Sequence, residues 1–312
     1  MALTINTNIS SIIAQRNLSK ATSSLNTAIE RMTTGYKINH AADNAAGYSI
    51  ARNWETQLGS LDVAADNAAT GADMLSTLED TYALVSSHLQ RVRDLTEQAA
   101  NGTYGSQSLR AIKSEITARL EEVNRISANC EFNGLNMMDG SMAHDVKLQV
   151  GLYSSDDSQI TLKQDLFKDA KVGTLFFDFG GVDKDIEGQS VTKETLTVDK
   201  LAELCSGITT KTPAEGGGIK GGQTNMLDKI DAVINELSNR VTTLGAAQNR
   251  IESAVESIGV QSENITSSLS TLRDADIANE SSKYIQAQIL QQAASTLLST
   301  ANQTPSIALN LL

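Results

Sequence analysis

The stretch from Leu227 to Leu272, LDKIDAVINELSNRVTTLGAAQNRIESAVESIGVQSENITSSLSTL, decides the fold. Leu227, Ile230, Ile234, Leu237, Val241, Leu244, Gln248, Ile251, Val255, Ile258, Ser262, Ile265, Leu269 and Leu272 alternate steps of three and four, and only Gln248 and Ser262 among them are polar. That spacing holds one apolar seam along an α-helix and is the pattern of a coiled coil. A helix of these 46 residues extends about 70 Å, against roughly 50 Å for a compact globule of this chain length, so the expected molecule is elongated. The two polar seam positions are expected to loosen the packing locally.

The first half of the chain supplies partners for this seam. Leu75, Leu78, Tyr82, Val85, Leu89 and Val92, followed by Leu109, Ile112, Ile116, Leu120 and Val123, repeat at helical spacing and predict a three-helix bundle. Isolated helices are marginal in water, so none of these stripes stands alone. The two prolines are Pro213 and Pro305, which leaves the first 212 residues free of that helix breaker.

The middle has a different character. Of the 21 glycines, 13 lie between Gly134 and Gly222, as do four of the five phenylalanines. Val146, Leu148, Val150 and Leu152 alternate with other residues, Ile160 and Leu162 repeat the pattern, and Val172 to Phe179 is rich in β-prone side chains; strands are expected in all three places. Val198 to Leu204 reads as a short helix, and Gly216, Gly217, Gly218, Gly221 and Gly222 read as a turn or linker.

The two extremities share one pattern. Asn8 is placed to cap a helix running to Thr34, with Ala14, Leu18, Ala21, Leu25, Ala28 and Met32 along one face and Gly35 at its end. At the other end, Ile285, Ile289, Ala293, Leu297 and Ala301 form a stripe doubled by Leu290, Ala294 and Leu298, in a 29-residue stretch without a charged side chain. Pairing these two helices with each other would still leave apolar surface facing water, which implies that neighbouring copies cover it.

Twenty-five basic and 37 acidic side chains give a net charge of −12, which argues against a nucleic-acid partner. No window has the length and apolarity of a membrane span. Met1 to Gln15 is uncharged and so lacks the basic leader of a secretory signal, and export, if it occurs, is expected to take another route. Cys130 and Cys205 cannot build a disulfide framework and have no metal-ligand spacing with His40, His88 and His144, so buried thiols are expected and no cofactor or metal is assigned. No catalytic motif is present: there is no H-E-x-x-H, no G-x-S-x-G and no P-loop. Adjacent carboxylates such as Glu121 and Glu122 read as solvated surface charge.

The residues at both ends are specific enough to name a resemblance. INTNISSIIAQRNL (5–18), SSLNTAIERMTTGYKIN (23–39), DNAAG (43–47), LQRVRDLTEQAANGT (89–103), SEITARLEEVNRIS (114–127) and FNG (132–134) resemble the first part of bacterial flagellin. LGAAQNRIESA (244–254), LRDADIANESS (272–282) and AQILQQAASTLLSTANQTP (287–305) resemble its last part. The expected fold is mainly α: a long antiparallel helical coiled-coil bundle built from discontinuous N- and C-terminal segments, with a small β-containing region inserted in the middle.

What the resemblance implies is a non-enzymatic filament subunit that polymerises into the flagellar propeller. Residues 1–42 and 273–312 would be the terminal coiled-coil domain lining the filament core. Residues 43–172 and 223–272 would be a helical-bundle domain with a β-hairpin, and 173–222 a small outer-surface insert. Leu18, Leu25, Met32, Ile285, Ile289, Leu290, Leu297 and Leu298 are the implied assembly residues, and two lateral packings of one subunit would curve the filament. The implied partners are other copies of the chain, an export chaperone, and cap and junction proteins, with extracellular localisation through the flagellar type III channel and no cleaved signal peptide. Gln90, Arg91, Leu95, Glu115 and Arg119 are similar to the pattern recognised by the animal Toll-like receptor 5. No nucleic acid and no membrane insertion are expected. A hook–filament junction protein and a secreted coiled-coil adhesin are the alternatives. A flagellin with a protease insert would need a zinc motif in the middle, which is absent. Cysteines and the absence of a basic residue at the end depart from the family, and the short middle implies a thin outer domain on which Ser and Thr could carry glycans.

Overall fold

The computed structural model describes residues 8–142, 144–181, 196–207 and 223–309. Helices dominate: α1 (Ile9–Thr34), α2 (Ala45–Ala100), α3 (Ser106–Asn129), α4 (Val172–Asp178), α5 (Val198–Ser206), α6 (Gln223–Arg273) and α7 (Ile277–Leu309). Four short strands lie between α3 and α4: β1 (Glu131–Phe132), β2 (Leu135–Asn136), β3 (Val146–Gln149) and β4 (Gln159–Leu162). The chain forms two compact units, residues 61–259 and the two ends together, 1–60 with 260–312.

In the 61–259 unit the expected stripes meet. Leu75, Leu78, Tyr82, Val85, Leu89 and Val92 of α2 pack with Leu109, Ile116, Leu120 and Val123 of α3 and with Ile230, Leu237, Leu244 and Ile251 of α6 in one core. The seam of α6 differs from its sequence reading by one row. Ile230, Leu237, Leu244 and Ile251 are inside as expected, but the second buried row is Met226, Val233, Arg240 and Ala247, whereas Leu227, Ile234, Val241 and Gln248 are only half-buried. A helix that contacts more than one neighbour buries a face wider than a two-row seam, and its centre shifts accordingly. Gln248 is held: its Nε2 donates to Glu79 Oε2 at 2.8 Å.

Arg240 occupies one of those core positions with only 4% of its surface exposed. Its Nε donates to Glu236 Oε1 at 3.2 Å and its Nη1 to the Lys168 carbonyl at 3.4 Å, and the guanidinium lies over the rings of Phe179 and Tyr82. The Tyr82 hydroxyl donates to the Leu166 carbonyl at 2.9 Å, and burial pushes its pKa up. A charge is tolerated here because most of its donors are paired and aromatic faces cover it.

The middle region joins the same core. β1 and β2 form a hairpin whose turn residues Asn133 and Gly134 both have positive φ, 49° and 81°, as a tight two-residue turn requires. β3 and β4 pair antiparallel, with Leu148 opposite Ile160 and Val146 opposite Leu162. The approach of this pair to α2 depends on Gly71, where a Cβ would run into Leu148 Cδ1. The expected strand at 172–179 is instead α4. Val172, Leu175 and Phe176 are fully buried at helical spacing, and Asn124 Oδ1 accepts the Val172 N–H at 2.8 Å, so one-sided burial overrides β propensity. The helix expected at 198–204 is present as α5, capped by Thr197 and ended by Gly207 with a positive φ of 67°. The glycine cluster at 216–222 lies outside the described residues.

The unit of the chain ends is built on α1 and α7. Asn8 Oδ1 accepts the Ser11 N–H, and Gly35, at φ 74°, closes α1 by donating to the Arg31 carbonyl. Just beyond α1 the backbone bridges to the turn between α6 and α7: Tyr36 pairs with Asp274, the Lys37 N–H donates to the Arg273 carbonyl at 2.7 Å, and the Ala275 N–H to the Gly35 carbonyl at 2.8 Å. Arg273 stacks 4.1 Å from the Tyr36 ring centroid and pairs with Glu55.

Candidate functional site

Helices α1 and α7 run antiparallel, as three cross-links along their length require. Asn8 Nδ2 donates to the Ala301 carbonyl at 2.7 Å, Gln291 Nε2 to Thr22 Oγ1 at 3.1 Å, and Arg31 Nη1 lies 3.6 Å from Glu280 Oε1. The face they share is built from small side chains. Ala14, Ala21 and Ala28 on α1 and Ala287 and Ala294 on α7 are buried, each set at heptad spacing, with Leu18, Leu25, Met32, Tyr284, Gln291 and Leu298 half-buried beside them. Glu280 is buried at one end of the seam, paired with Arg31 and, at 2.7 Å, with Lys283 Nζ.

The larger apolar residues of α7 point elsewhere. Ile285, Ile289, Leu290 and Leu297 are 54%, 60%, 52% and 64% exposed, and on α1 Ile9, Ile12, Ile13 and Ile29 are exposed as well. The stripe read from the sequence of α7 is therefore mostly its outer face, and the inner face is the alanine, amide and tyrosine row. The proposed assembly residues sort into three places. Leu18, Leu25, Met32 and Leu298 flank the seam. Leu290 and Leu297 wall a groove of about 680 Å³ whose floor includes Ala21, Ala28, Ala287 and Ala294. Ile285 and Ile289 do not line that groove and lie around the helix from it. Sequence reasoning missed the groove and the outward isoleucines of α1, although Ile9, Ile12 and Ile13 fall outside the 14–18–21 row and so signalled a second apolar face.

Charge separates the two units. Residues 1–60 and 260–312 hold seven basic and seven acidic side chains, leaving 18 basic and 30 acidic in 61–259, so the whole net charge of −12 belongs to the latter. A neutral surface with outward apolar side chains has no long-range self-repulsion to overcome when copies meet.

The second set of predicted residues lies where α2 and α3 pack. Arg91 Nε donates to Glu115 Oε1 at 3.0 Å, Arg119 Nη2 lies 4.0 Å from the same oxygen, and Arg119 Nη1 donates to His88 Nδ1 at 3.4 Å. Arg125 continues the row on α3, and its hydrogen bonds hold the Glu122 carboxyl below its usual pKa. Gln90 is exposed beside this cluster, but Leu95 is 1% exposed inside the core. Leu95 is thus unavailable as an apolar anchor for a partner; it sits on the core-facing row with Val92.

Both cysteines are buried and free, as expected. Burial pushes the Cys205 thiol up to about 12 and also raises that of Cys130, whose Sγ lies 3.5 Å from Thr81 Oγ1. Such thiols are neutral and inert at physiological pH. Among the described residues no group of three histidine, cysteine or carboxylate side chains could hold a metal ion, and no helix is long and apolar enough to cross a membrane.

Residues 5–143 match the family described as the bacterial flagellin N-terminal helical region, and residues 227–312 match the bacterial flagellin C-terminal helical region. Flagellin A of Vibrio anguillarum is 31% identical over 379 aligned positions, covering 100% of both chains. Flagellin D of Vibrio cholerae serotype O1 is 32% identical over 378 positions, also covering 100% of both. A solved structure, a putative flagellar hook-associated protein from Vibrio parahaemolyticus, shares the fold with a TM-score of 0.55 at 14% identity, over 74% of this chain and 100% of that one.

Proposed function

Since this chain belongs to the bacterial flagellin family and is therefore a structural subunit of the flagellar filament and not an enzyme, we propose that the outward faces of α1 and α7 are the surface through which it polymerises. One observation carries this reading: the pair buries alanines against each other and leaves Ile285, Ile289, Leu290 and Leu297 at least half exposed. An apolar surface of this kind is covered in the functional state of a protein, and here the partner is another copy of the chain. In this reading residues 1–42 and 273–312 line the inner tube and 43–172 with 223–272 form the layer around it; of the segment 173–222 proposed as an outer insert, α4 and α5 belong to that layer, because Leu175, Phe176, Leu201 and Cys205 are buried in its core. The filament is extracellular. Export through the flagellar type III channel, without a cleaved leader, and handling by a chaperone and by cap and junction proteins complete the proposal.

The test is electron microscopy of purified protein carrying Ile289→Asp and Leu297→Asp. Loss of filaments with an unchanged circular dichroism spectrum supports the reading, and filaments as long as the parent's overturn it. The same experiment addresses the junction-protein and adhesin alternatives, since parent protein that remains monomeric under seeding would favour them.

A second reading rests on the Arg91, Glu115 and Arg119 cluster, where two neighbouring helices present a guanidinium fork beside exposed Gln90. We assign it to recognition by Toll-like receptor 5, with Leu95 serving the core beneath it. Monomer carrying Arg91→Ala is expected to stimulate the receptor less than the parent, and equal stimulation would remove the assignment.

A further inference from the structure

Two asparagines in this chain are followed by glycine, in the pairs Asn101–Gly102 and Asn133–Gly134. In such a pair the glycine nitrogen can attack the side-chain amide before it, because no Cβ crowds the approach. Both pairs are exposed, but the structure holds them differently. Asn133 and Gly134 form the turn of the β1–β2 hairpin at φ 49° and 81°, fixed by the pairing of Phe132 with Leu135 and by the Met137 N–H on the Cys130 carbonyl. Asn101 follows the last residue of α2 and lies in no helix or strand. Its Oδ1 accepts the Thr103 N–H at 3.3 Å, which folds the side chain back over the intervening Gly102 amide. Gly102 keeps its φ outside the left-handed region and has open space where a Cβ would stand. Among the described residues no backbone carbonyl takes its N–H.

The geometry points to Asn101 as a site of spontaneous deamidation in the folded protein, with Asn133 protected by its hairpin. The Gly102 nitrogen gives up its proton to solvent and bonds to Asn101 Cγ, and the Cγ–Nδ2 bond breaks as ammonia leaves. Water then opens the cyclic imide at either carbonyl, leaving aspartate or, where the chain is rerouted through the side chain, isoaspartate. The sequence of steps is redox-neutral and needs no reactant but water. A side chain already turned onto the backbone shortens the search for the reacting arrangement. At Asn133 the same closure requires the backbone to leave its left-handed turn, which separates β1 from β2, so reaction there waits for local opening. The product places a carboxylate directly after α2, whose last turn holds no basic side chain, in the unit that already carries the whole −12. A negative charge at a helix C-terminus opposes the helix dipole, so conversion loosens the last turn of α2. Because water does not restore the amide, the converted fraction records the time since a subunit folded.

The test incubates the full chain, folded and in parallel in denaturant, in mildly alkaline heavy-oxygen water, followed by digestion in ordinary acidic water and mass spectrometry. Each conversion captures one heavy oxygen, so the peptides containing Asn101 and Asn133 report separately. Rates in denaturant supply the intrinsic reference for each pair. In the folded protein, relative to that reference, the Asn101 peptide is expected to label at least about tenfold faster than the Asn133 peptide. Gly102→Ala, which the open space and ordinary φ accommodate, is expected to slow labelling at Asn101 by a comparable factor. Equal labelling of the two peptides in the folded protein overturns the proposal, as does an Asn101 peptide that labels only in denaturant. A Gly102→Ala chain that labels as fast as the parent removes the Gly102 nitrogen as the attacking group and overturns it too. The comparison of the two peptides is internal to the parent chain and independent of filament formation, so its outcome and that of the assembly reading are read separately.

Discussion

In residues 61–259, Leu75, Leu78, Tyr82, Val85 and Leu89 of α2 are fully buried against α3 and α6. In the unit of the chain ends, the corresponding inner row is Ala14, Ala21 and Ala28 against Ala287 and Ala294, and the larger apolar residues Ile285, Ile289, Leu290 and Leu297 face outward. One unit keeps its hydrophobic side chains for itself, and the other holds them in reserve. Covering those four residues, each about half exposed in the single chain, is worth on the order of 3–6 kcal/mol per subunit. The contrast teaches that one periodic pattern serves both folding and assembly. The size of the residue on the inner row decides which.

The largest effect that would test this division is removal of residues 273–312. Filaments are expected to vanish under the electron microscope while the remaining chain still unfolds cooperatively through its 61–259 core; filaments from the truncated chain would break the comparison. Next comes a matched pair. Leu78→Ala should cost about 3 kcal/mol of stability as measured by denaturant unfolding, because it opens a cavity among fully buried side chains. Ile289→Ala should change monomer stability by less than about 0.5 kcal/mol, yet raise the protein concentration needed for polymerisation. Equal destabilisation by both substitutions would mean that the ends have a private core after all.

Arg240→Ala sharpens the picture within the 61–259 unit. It removes the donor to Glu236 and the Lys168 carbonyl and the cation over Phe179, and a loss of about 2 kcal/mol is expected in the same unfolding assay. An effect below about 0.5 kcal/mol would show that this buried charge is tolerated without contributing. The smallest effect concerns Cys205. Its thiol is raised from 9.0 to about 12, so the folded state holds a proton that the unfolded chain releases. The associated stability is complete below pH 9, neutrality included, and is lost progressively as pH rises from 9 toward 12. A Cys205→Ala variant should therefore show a shallower loss of stability across that window. Equally steep profiles for parent and variant would remove the thiol as a cause.

Much of this was legible in the residues. Asn8 and Gly35 marked both ends of α1, and the buried rows of α2 and α3 fell where their spacing put them, because capping and helical period are local properties. The misreadings share one cause. Val172 to Phe179 carried helical spacing beneath its β-prone composition, and the inner row of α6, with the buried Arg240 on it, lay one residue from the row chosen. Each depended on what the element packs against, and no local pattern reports that. Leu95 shows the same limit within the candidate receptor patch, four residues from an exposed Arg91 and yet inside the core.

The sequence by itself determined that the chain is helical, that its ends are charge-poor and paired in pattern, and which family it resembles, since side-chain chemistry and period are written residue by residue. Only the tertiary structure decided that alanines, and not the isoleucines and leucines, meet between α1 and α7, and that a groove and an outward apolar face result. A helix with apolar residues over much of its circumference can turn several faces inward, and the three cross-links from Asn8, Thr22 and Arg31 to the partner helix select one of them.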